Sequence, residues 1–334
     1  MAHEWHLKSR PEGLPTIENF ELVETPERSL KDGEIRIRNT WLSVDPYMRG
    51  RMNDTKSYSQ PFALGETMQG GAVGEVIESK ADGFAVGDKV QHLGGWREEA
   101  VIDLNATGFG AGATKLPDLG IPDQLFLYNM GMTGGTAYFG LLDVASAKEG
   151  DIVFVSAAAG AVGSAVVQIA KLKGMTVIGS AGGADKCAWV KEIGADACID
   201  YKSGPVLPQL REAAPNGIDV YFDNVGSDHL DAAFACARYR ARFAICGMID
   251  IYNDLKPQCF KHISAIIGQH VRIEGFLYPE YMSEIGRFYK EVGPWVREGK
   301  FKSRETVKEG IESMVDAFGG LFTGDNTGKM LVKV

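Results

Sequence analysis

The residues with the clearest chemical meaning lie between Asp151 and Tyr201. An apolar run, DIVFVS, leads into a turn carrying Ala157, Gly160 and Gly163, and then into an apolar-periodic segment. Strand, small-residue turn and helix in this order form a dinucleotide-binding layout. Gly160 lets the backbone approach a pyrophosphate, and Gly163 lets the helix pack closely on the strand. The first turn, at Ala161 and Val162, offers N–H groups and the positive end of the helix dipole to phosphate. The motif is not a strict G-x-G-x-x-G, because Ala158 stands at its first glycine position.

The end of the next strand bears on the choice of cofactor. An NAD site places Asp or Glu there for the ribose 2′-hydroxyl. This chain has Gly179, Ser180, Ala181, Gly182 and Gly183 instead. Lys186 follows at the start of the next helix, and Tyr201 and Lys202 follow the third strand. Small polar residues and cations without an acid favour a 2′-phosphate, hence NADPH/NADP+. The six histidines and five cysteines show no metal-ligand spacing, and there is no H-E-x-x-H or G-x-S-x-G. Chemistry is therefore expected to run through the cofactor, with no metal, and with hydroxyls or amides polarising the substrate.

The elements that must hold these residues follow from periodicity. Residues 1–122 read as mostly β: Glu34–Trp41 alternates as a half-buried strand does, and Gly71–Glu78 repeats the pattern. Residues 125–145 contain two apolar helical segments around a glycine break. From 151, strand candidates at Ile152–Ser156, Met175–Ser180, Ala197–Ile199, Ile218–Asp223, Arg242–Cys246 and Val271–Gly275 alternate with helices, including Val162–Leu172 and Ala184–Ile193. Six such strands predict a doubly wound, mostly parallel sheet in an α/β protein. Glu280–Glu298 reads as one further helix, and Gly328–Val334 as a strand returning to the first domain.

With 334 residues, 45% of them apolar, the chain can build two domains. A net charge of −9 disfavours a nucleic-acid or acidic-membrane surface. No apolar run reaches about 18 residues, so no membrane span is expected and a cytoplasmic location is. The odd number of cysteines suggests free thiols, mostly buried.

Taken in order, several strings make the chain resemble a zinc-independent member of the medium-chain dehydrogenase/reductase superfamily. They are SRPEGLPTIENF (9–20), WLSVDPYMRGRM (41–52), GMTGGTAYFGLLD (131–143), AAAGAVGSAVVQIAKLKG (157–174), YFDNVG (221–226), CGMIDIYN (246–253), VRIEGF (271–276) and GDNTGKMLVK (324–333). The resemblance is to the prostaglandin reductase, 2-alkenal reductase and bacterial curcumin reductase group. It implies a GroES-like, mostly-β catalytic domain over 1–122, completed by 299–334, and a Rossmann-type domain over 123–298. The active site would lie in the cleft between them. It implies reduction of the carbon–carbon double bond of α,β-unsaturated ketones or aldehydes, with hydride passing to the β-carbon. A quinone reductase and a zinc-free carbonyl or alcohol oxidoreductase are the alternatives.

By the same resemblance Tyr252 and Tyr47 serve the substrate. Met132, Thr133, Asn224, Cys246, Gly247, Phe276 and Asn326 join the cofactor contacts, and a homodimer is expected. Zinc-using relatives have a cysteine in the region of Ser43 and Asp45, and a histidine near Gly65-Glu66. This chain departs from its group at Thr133, where proline is usual, and at the bulky Met248–Ile251.

Overall fold

The structure, a computed structural model, describes residues 2–108, 110–254 and 257–334. Two compact units emerge: residues 1–127 with 305–334, and residues 128–304.

The first unit begins with strands β1 (Ala2–Leu7) and β2 (Phe20–Thr25), an antiparallel pair. The spine of its larger sheet is β3 (Glu34–Ser43), followed by the short helix α1 (Tyr47–Arg51). Strands β4 (Ala72–Ser79), β5 (Lys89–His92), β6 (Glu99–Asp103) and β7 (Ala113–Lys115) complete the first pass. β3 pairs antiparallel with both β4 and β6. The alternation in β3 predicted a half-buried strand, but Glu34 and Arg36 are buried along with Ile35 and Ile37. Ion pairs explain this: Arg28 binds Glu34 at 2.7 Å and Arg36 binds Glu78 at 3.2 Å, so the charged face is covered yet satisfied.

The second unit opens with α2 (Met132–Phe139), which runs into one π-helical turn at Gly140–Val144. The expected glycine break falls at Gly131, the N-cap of α2. Strand and helix then alternate: β8 (Ile152–Val155), α3 (Ala161–Leu172), β9 (Thr176–Ala181), α4 (Ala184–Glu192), β10 (Ala197–Asp200), α5 (Val206–Ala213), β11 (Ile218–Asp223), α6 (Ser227–Ala235) and β12 (Ala237–Ile245). Helix α7 (Ala265–Gly268), β13 (Arg272–Gly275) and α8 (Ile285–Arg297) follow. The sheet order is β10-β9-β8-β11-β12-β13, and every pairing is parallel. This is the doubly wound order, with its switch point between β8 and β11.

The single helix expected over 280–298 is split. Tyr278–Glu284 forms a 3-10 segment with a proline in its first turn, and α8 starts only at Ile285. The tighter winding seats Tyr281 flat against Phe139, with ring centroids 4.8 Å apart.

The chain then returns to the first unit. β14 (Glu305–Glu309), α9 (Met314–Thr323) and β15 (Lys329–Lys333) close its sheet, with β15 antiparallel to β3. Lys329 is 2% exposed and binds Asp45 Oδ1 at 2.5 Å, while Asp45 is 6% exposed. Its ammonium also donates to the Val44 carbonyl at 2.9 Å. A buried carboxylate stripped of its cation is costly, so Lys329→Met should lower stability by about 3–5 kcal/mol. Urea unfolding measures this directly. A loss under about 1 kcal/mol would show the pair to be dispensable.

Candidate active site

At the carboxyl end of β8 the backbone turns at Ala157, whose φ is +48°. Gly160 N donates to Ala157 O at 2.9 Å, and Gly160 is the N-cap of α3 without a side-chain cap. The two glycines differ in their surroundings. A Cβ on Gly163 would stand 2.2 Å from Ala157 O, so helix and turn touch there only because the side chain is absent. A Cβ on Gly160 would meet only Ala157 O, at 3.2 Å. The space beside Gly160 is otherwise open, at the N-terminus of α3 where backbone N–H groups lack helical partners. Thr133 lies in the first turn of α2. Its buried Oγ1 has no hydrogen-bond partner among the described residues, a polar atom suited to a bound ligand.

The end of β9 is built differently from the sequence expectation for Ser180. Its side chain is fully buried and its hydroxyl pairs with His229 Nε2 at 2.9 Å. Burial lowers the His229 pKa to about 4, so the ring is neutral at pH 7. The His229 ring also meets Tyr201 edge-on at 5.6 Å. A Cβ on Gly182 would lie 2.6 Å from Tyr201 Oη and 3.0 Å from Lys202 Cε. Tyr201 and Lys202 therefore do reach the end of β9. Lys186 sits half-buried in the first turn of α4.

At the end of β11, Asp223 is fully buried. Its Oδ1 accepts from Tyr221 Oη (2.7 Å), Gly226 N (2.8 Å), Val225 N (2.9 Å) and Ser156 Oγ (3.2 Å). Burial raises its pKa, and the Gly226 and Val225 amides and the Tyr221 hydroxyl counteract the rise. Asn224 N donates to Ser156 Oγ at 2.9 Å and Asn224 Nδ2 to Ser156 O at 2.8 Å. Cys246 N and Gly247 N donate to the Asp223 carbonyl at 2.9 and 3.0 Å. Burial, then the Asp223 charge, pushes the Cys246 thiol up to about 12, which keeps it neutral. Tyr252 Oη accepts from Met248 N at 3.3 Å, and a Cβ on Gly247 would come within 2.9 Å of it. Phe276 packs edge-on to Phe222 at 6.1 Å and closes over Gly140, inside the unit.

In the first unit, Tyr47 opens α1. Burial and the Asp45 charge raise its pKa well above the ordinary phenol value, so it remains an O–H donor. Ser43 Oγ donates to Asp45 Oδ2, and Lys329 occupies Oδ1. Glu66 is exposed. No group of three or more candidate metal ligands occurs among the described residues. Asn326 Nδ2 donates to Gly328 O at 2.9 Å, fixing the turn before β15. All five cysteines are free thiols, but only Cys187 and Cys236 are buried, whereas most were expected to be.

A concavity of about 830 Å³ in the second unit lies elsewhere. It is lined by Glu149 and Met175, just before β8 and β9, at the amino ends of the strands. Several of its polar groups pair with each other: Lys173 and Tyr138 both bind Glu291 at 2.5 Å.

A parallel six-stranded sheet with a glycine turn at its switch point, in one chain with a mostly antiparallel unit, defines a dehydrogenase-type oxidoreductase. Residues 3–108 match the family described as the N-terminal domain of oxidoreductase, and residues 161–294 the family described as zinc-binding dehydrogenase. The NADPH-dependent curcumin reductase of Escherichia coli is 39% identical, over 99% of this chain and 96% of its own length. Prostaglandin reductase 1 of Mus musculus is 42% identical, over 99% of both. The crystal structure of CurA from Vibrio vulnificus in complex with NADPH superposes with a TM-score of 0.93 at 40% identity, covering 99% of each chain. The chain belongs to the medium-chain dehydrogenase/reductase superfamily, in the zinc-independent group of curcumin, prostaglandin and 2-alkenal reductases.

Sequence reasoning missed Asp200, His229, Asp223 and Lys329. Asp223 lies within the string YFDNVG and Lys329 within GDNTGKMLVK, but neither is singled out there.

The contrast between the two turn glycines is testable. Gly163→Ala forces overpacking against backbone and should cost about 1–3 kcal/mol or more. Gly160→Ala should stay within about 1 kcal/mol of the parent, because only one atom must give by a few tenths of an ångström. Equal losses in chemical denaturation would contradict the distinction.

Proposed function

We propose that this chain reduces the carbon–carbon double bond of α,β-unsaturated ketones or aldehydes. The cofactor is NADPH, and the protein is an NADP-dependent oxidoreductase, as its near relatives are. The membership of a 2-alkenal reductase in the group supports the substrate class, since a 2-alkenal is an α,β-unsaturated aldehyde. The observation that carries the reading is the anchoring of Tyr252 Oη beside Gly247, at the carboxyl end of β12.

NADPH supplies the hydride when bound, and its delivery to the β-carbon leaves negative charge on the carbonyl oxygen. The residues proposed to hold the cofactor are the Ala157–Gly163 turn, Thr133 and Asn224, with Gly182, Lys186 and Tyr201 toward the 2′-phosphate. Tyr252 answers the developing charge. Its oxygen accepts the Met248 N–H, which fixes the phenol beside Gly247, and its proposed role is to donate its O–H to the carbonyl oxygen. A donor placed before the reaction stabilises charge without reorganising. Tyr47 is proposed as a second neutral hydroxyl for the substrate, kept protonated by burial. Proton delivery at the α-carbon is left to solvent.

A homodimer is part of the proposal. β13 is the edge of the parallel sheet, all four of its residues are exposed, and Ile267 just before it is 80% exposed. An open edge flanked by apolar side chains favours closed two-fold pairing.

Two measurements test these readings. Tyr252→Phe should lower kcat/KM on an enone by about ten- to a few-hundred-fold, chiefly in kcat. With deuteride-labelled NADPH the label should appear on the β-carbon of a saturated ketone. Full activity in the variant would remove Tyr252 from the mechanism, and label on the carbonyl carbon would overturn double-bond reduction. Light scattering should give about twice the 36.2 kDa chain mass. A monomer at all working concentrations would refute the dimer.

A further inference from the structure

Asp200 closes β10 and stands beside the turn that follows β9. An acid here is at first sight out of place, because a free carboxylate repels a 2′-phosphate. Its oxygen is committed to the backbone. Oδ1 accepts Gly183 N at 2.8 Å from the β9–α4 turn and Lys202 N at 2.9 Å from its own turn. The Asp200 carbonyl accepts Ser203 Oγ at 2.8 Å and Gln209 Nε2 at 3.1 Å, which ties the same turn to α5. Gly183 has φ +101° and is the N-cap of α4, so the bond to its amide sets the angle at which Lys186 leaves the sheet. The bond to Lys202 N sets the path on which Tyr201 Oη and Lys202 Cε close against Gly182. Both turns that carry the candidate 2′-phosphate donors are thus registered to each other through one side-chain oxygen.

We propose that Asp200 is the positioning residue for the 2′-phosphate site, acting through the amides of Gly183 and Lys202 and setting the preference for NADPH over NADH. The proposal rests on the reading of Lys186 and Tyr201 as 2′-phosphate donors. It makes a statement that charge alone would not: the acceptor geometry of the side chain matters, and its negative charge does not help. An amide oxygen takes the same two N–H bonds, while a methyl group takes neither.

The test is isothermal titration of NADPH and NADH into wild-type protein, Asp200→Asn, Asp200→Ala, Lys186→Ala and Gly182→Ala, with the thermal midpoint of each. Asp200→Asn should bind NADPH within about threefold of wild type, or more tightly, since the hydrogen bonds survive and a repulsive charge is gone. Asp200→Ala should lose about tenfold for NADPH and less than about twofold for NADH, as two ordering bonds are lost at a site that only NADPH uses. Gly182→Ala leaves Asp200 intact but pushes on Tyr201 Oη. It should give the same NADPH-selective loss, and it keeps the proposal testable if Asp200→Ala fails to fold. Equal weakening of both cofactors by Asp200→Ala, an Asp200→Asn loss as large as that of Asp200→Ala, or an unchanged NADPH-to-NADH ratio in Gly182→Ala would overturn the positioning role. Lys186→Ala separates the two levels. If it leaves NADPH affinity unchanged, the 2′-phosphate reading of this edge falls, and the Asp200 proposal with it. If it weakens NADPH selectively while the Asp200 variants do not, only the Asp200 proposal falls.

Discussion

The carboxyl ends of β8, β11 and β12 are held together by one buried residue, Asp223, through its carboxylate and its main-chain carbonyl. Asp223 draws donors from the Ser156 side chain at the end of β8 and from Tyr221, Val225 and Gly226 around the end of β11. Its carbonyl takes the two amides that leave β12. The buried Tyr221 hydroxyl and Gly226 amide would otherwise need other partners, and an unmet buried donor costs about 1–3 kcal/mol. The cost of burying the acid is offset by that convergence, and the rise in its pKa is the remaining signature of burial. The turn before α3, the Asn224 peptide and the segment carrying Tyr252 all branch from this node. A site that must present backbone N–H groups and a hydroxyl to a ligand needs such a rigid base.

The first unit uses the same device with opposite charges. The Lys329–Asp45 pair lies just ahead of α1, so the strand that returns from the end of the chain supports the helix that starts with Tyr47. Ser43 ends β3 and Asp45 follows it just before α1. Here their side chains are bound to each other and to an ammonium group. A fixed positive charge thus occupies this part of the unit, and it is supplied by the chain itself. In the second unit, burial lowers the His229 pKa to about 4, so its ring is neutral at pH 7.

Much of this architecture was legible from local pattern. The alternation of apolar strand and amphipathic helix from Ile152 onward announced six parallel strands, and Ile218–Asp223 falls where the periodicity put it. The turn at Ala157, Gly160 and Gly163 was readable because close backbone approach admits only small residues. The pattern was weaker where tertiary packing competes with it. β12 begins at Ala237, before the expected Arg242: Ala237 pairs with Ile218 of β11, and a register irregularity intervenes before Arg242 pairs with Val220. The segment before α8 reads as helix but tightens into 3-10 winding to seat its tyrosine rings.

The sequence by itself determined the period of the backbone, the places where only glycine fits and the absence of an acid at the end of β9. Those are local properties, set by sterics and by the spacing of apolar residues over a few turns. Tertiary structure alone decided which side chains meet. Gly183 finds Asp200 across 17 residues, Ser180 finds His229 across 49, and Lys329 finds Asp45 across 284. Strand order and sheet twist bring such groups together, and the partner of a polar side chain is whichever group the sheet places within hydrogen-bond reach once water is excluded. No spacing rule along the chain encodes that distance. The end of β9, which lacks an acid, and the acid that closes β10 meet only because the folded sheet sets the two strands side by side.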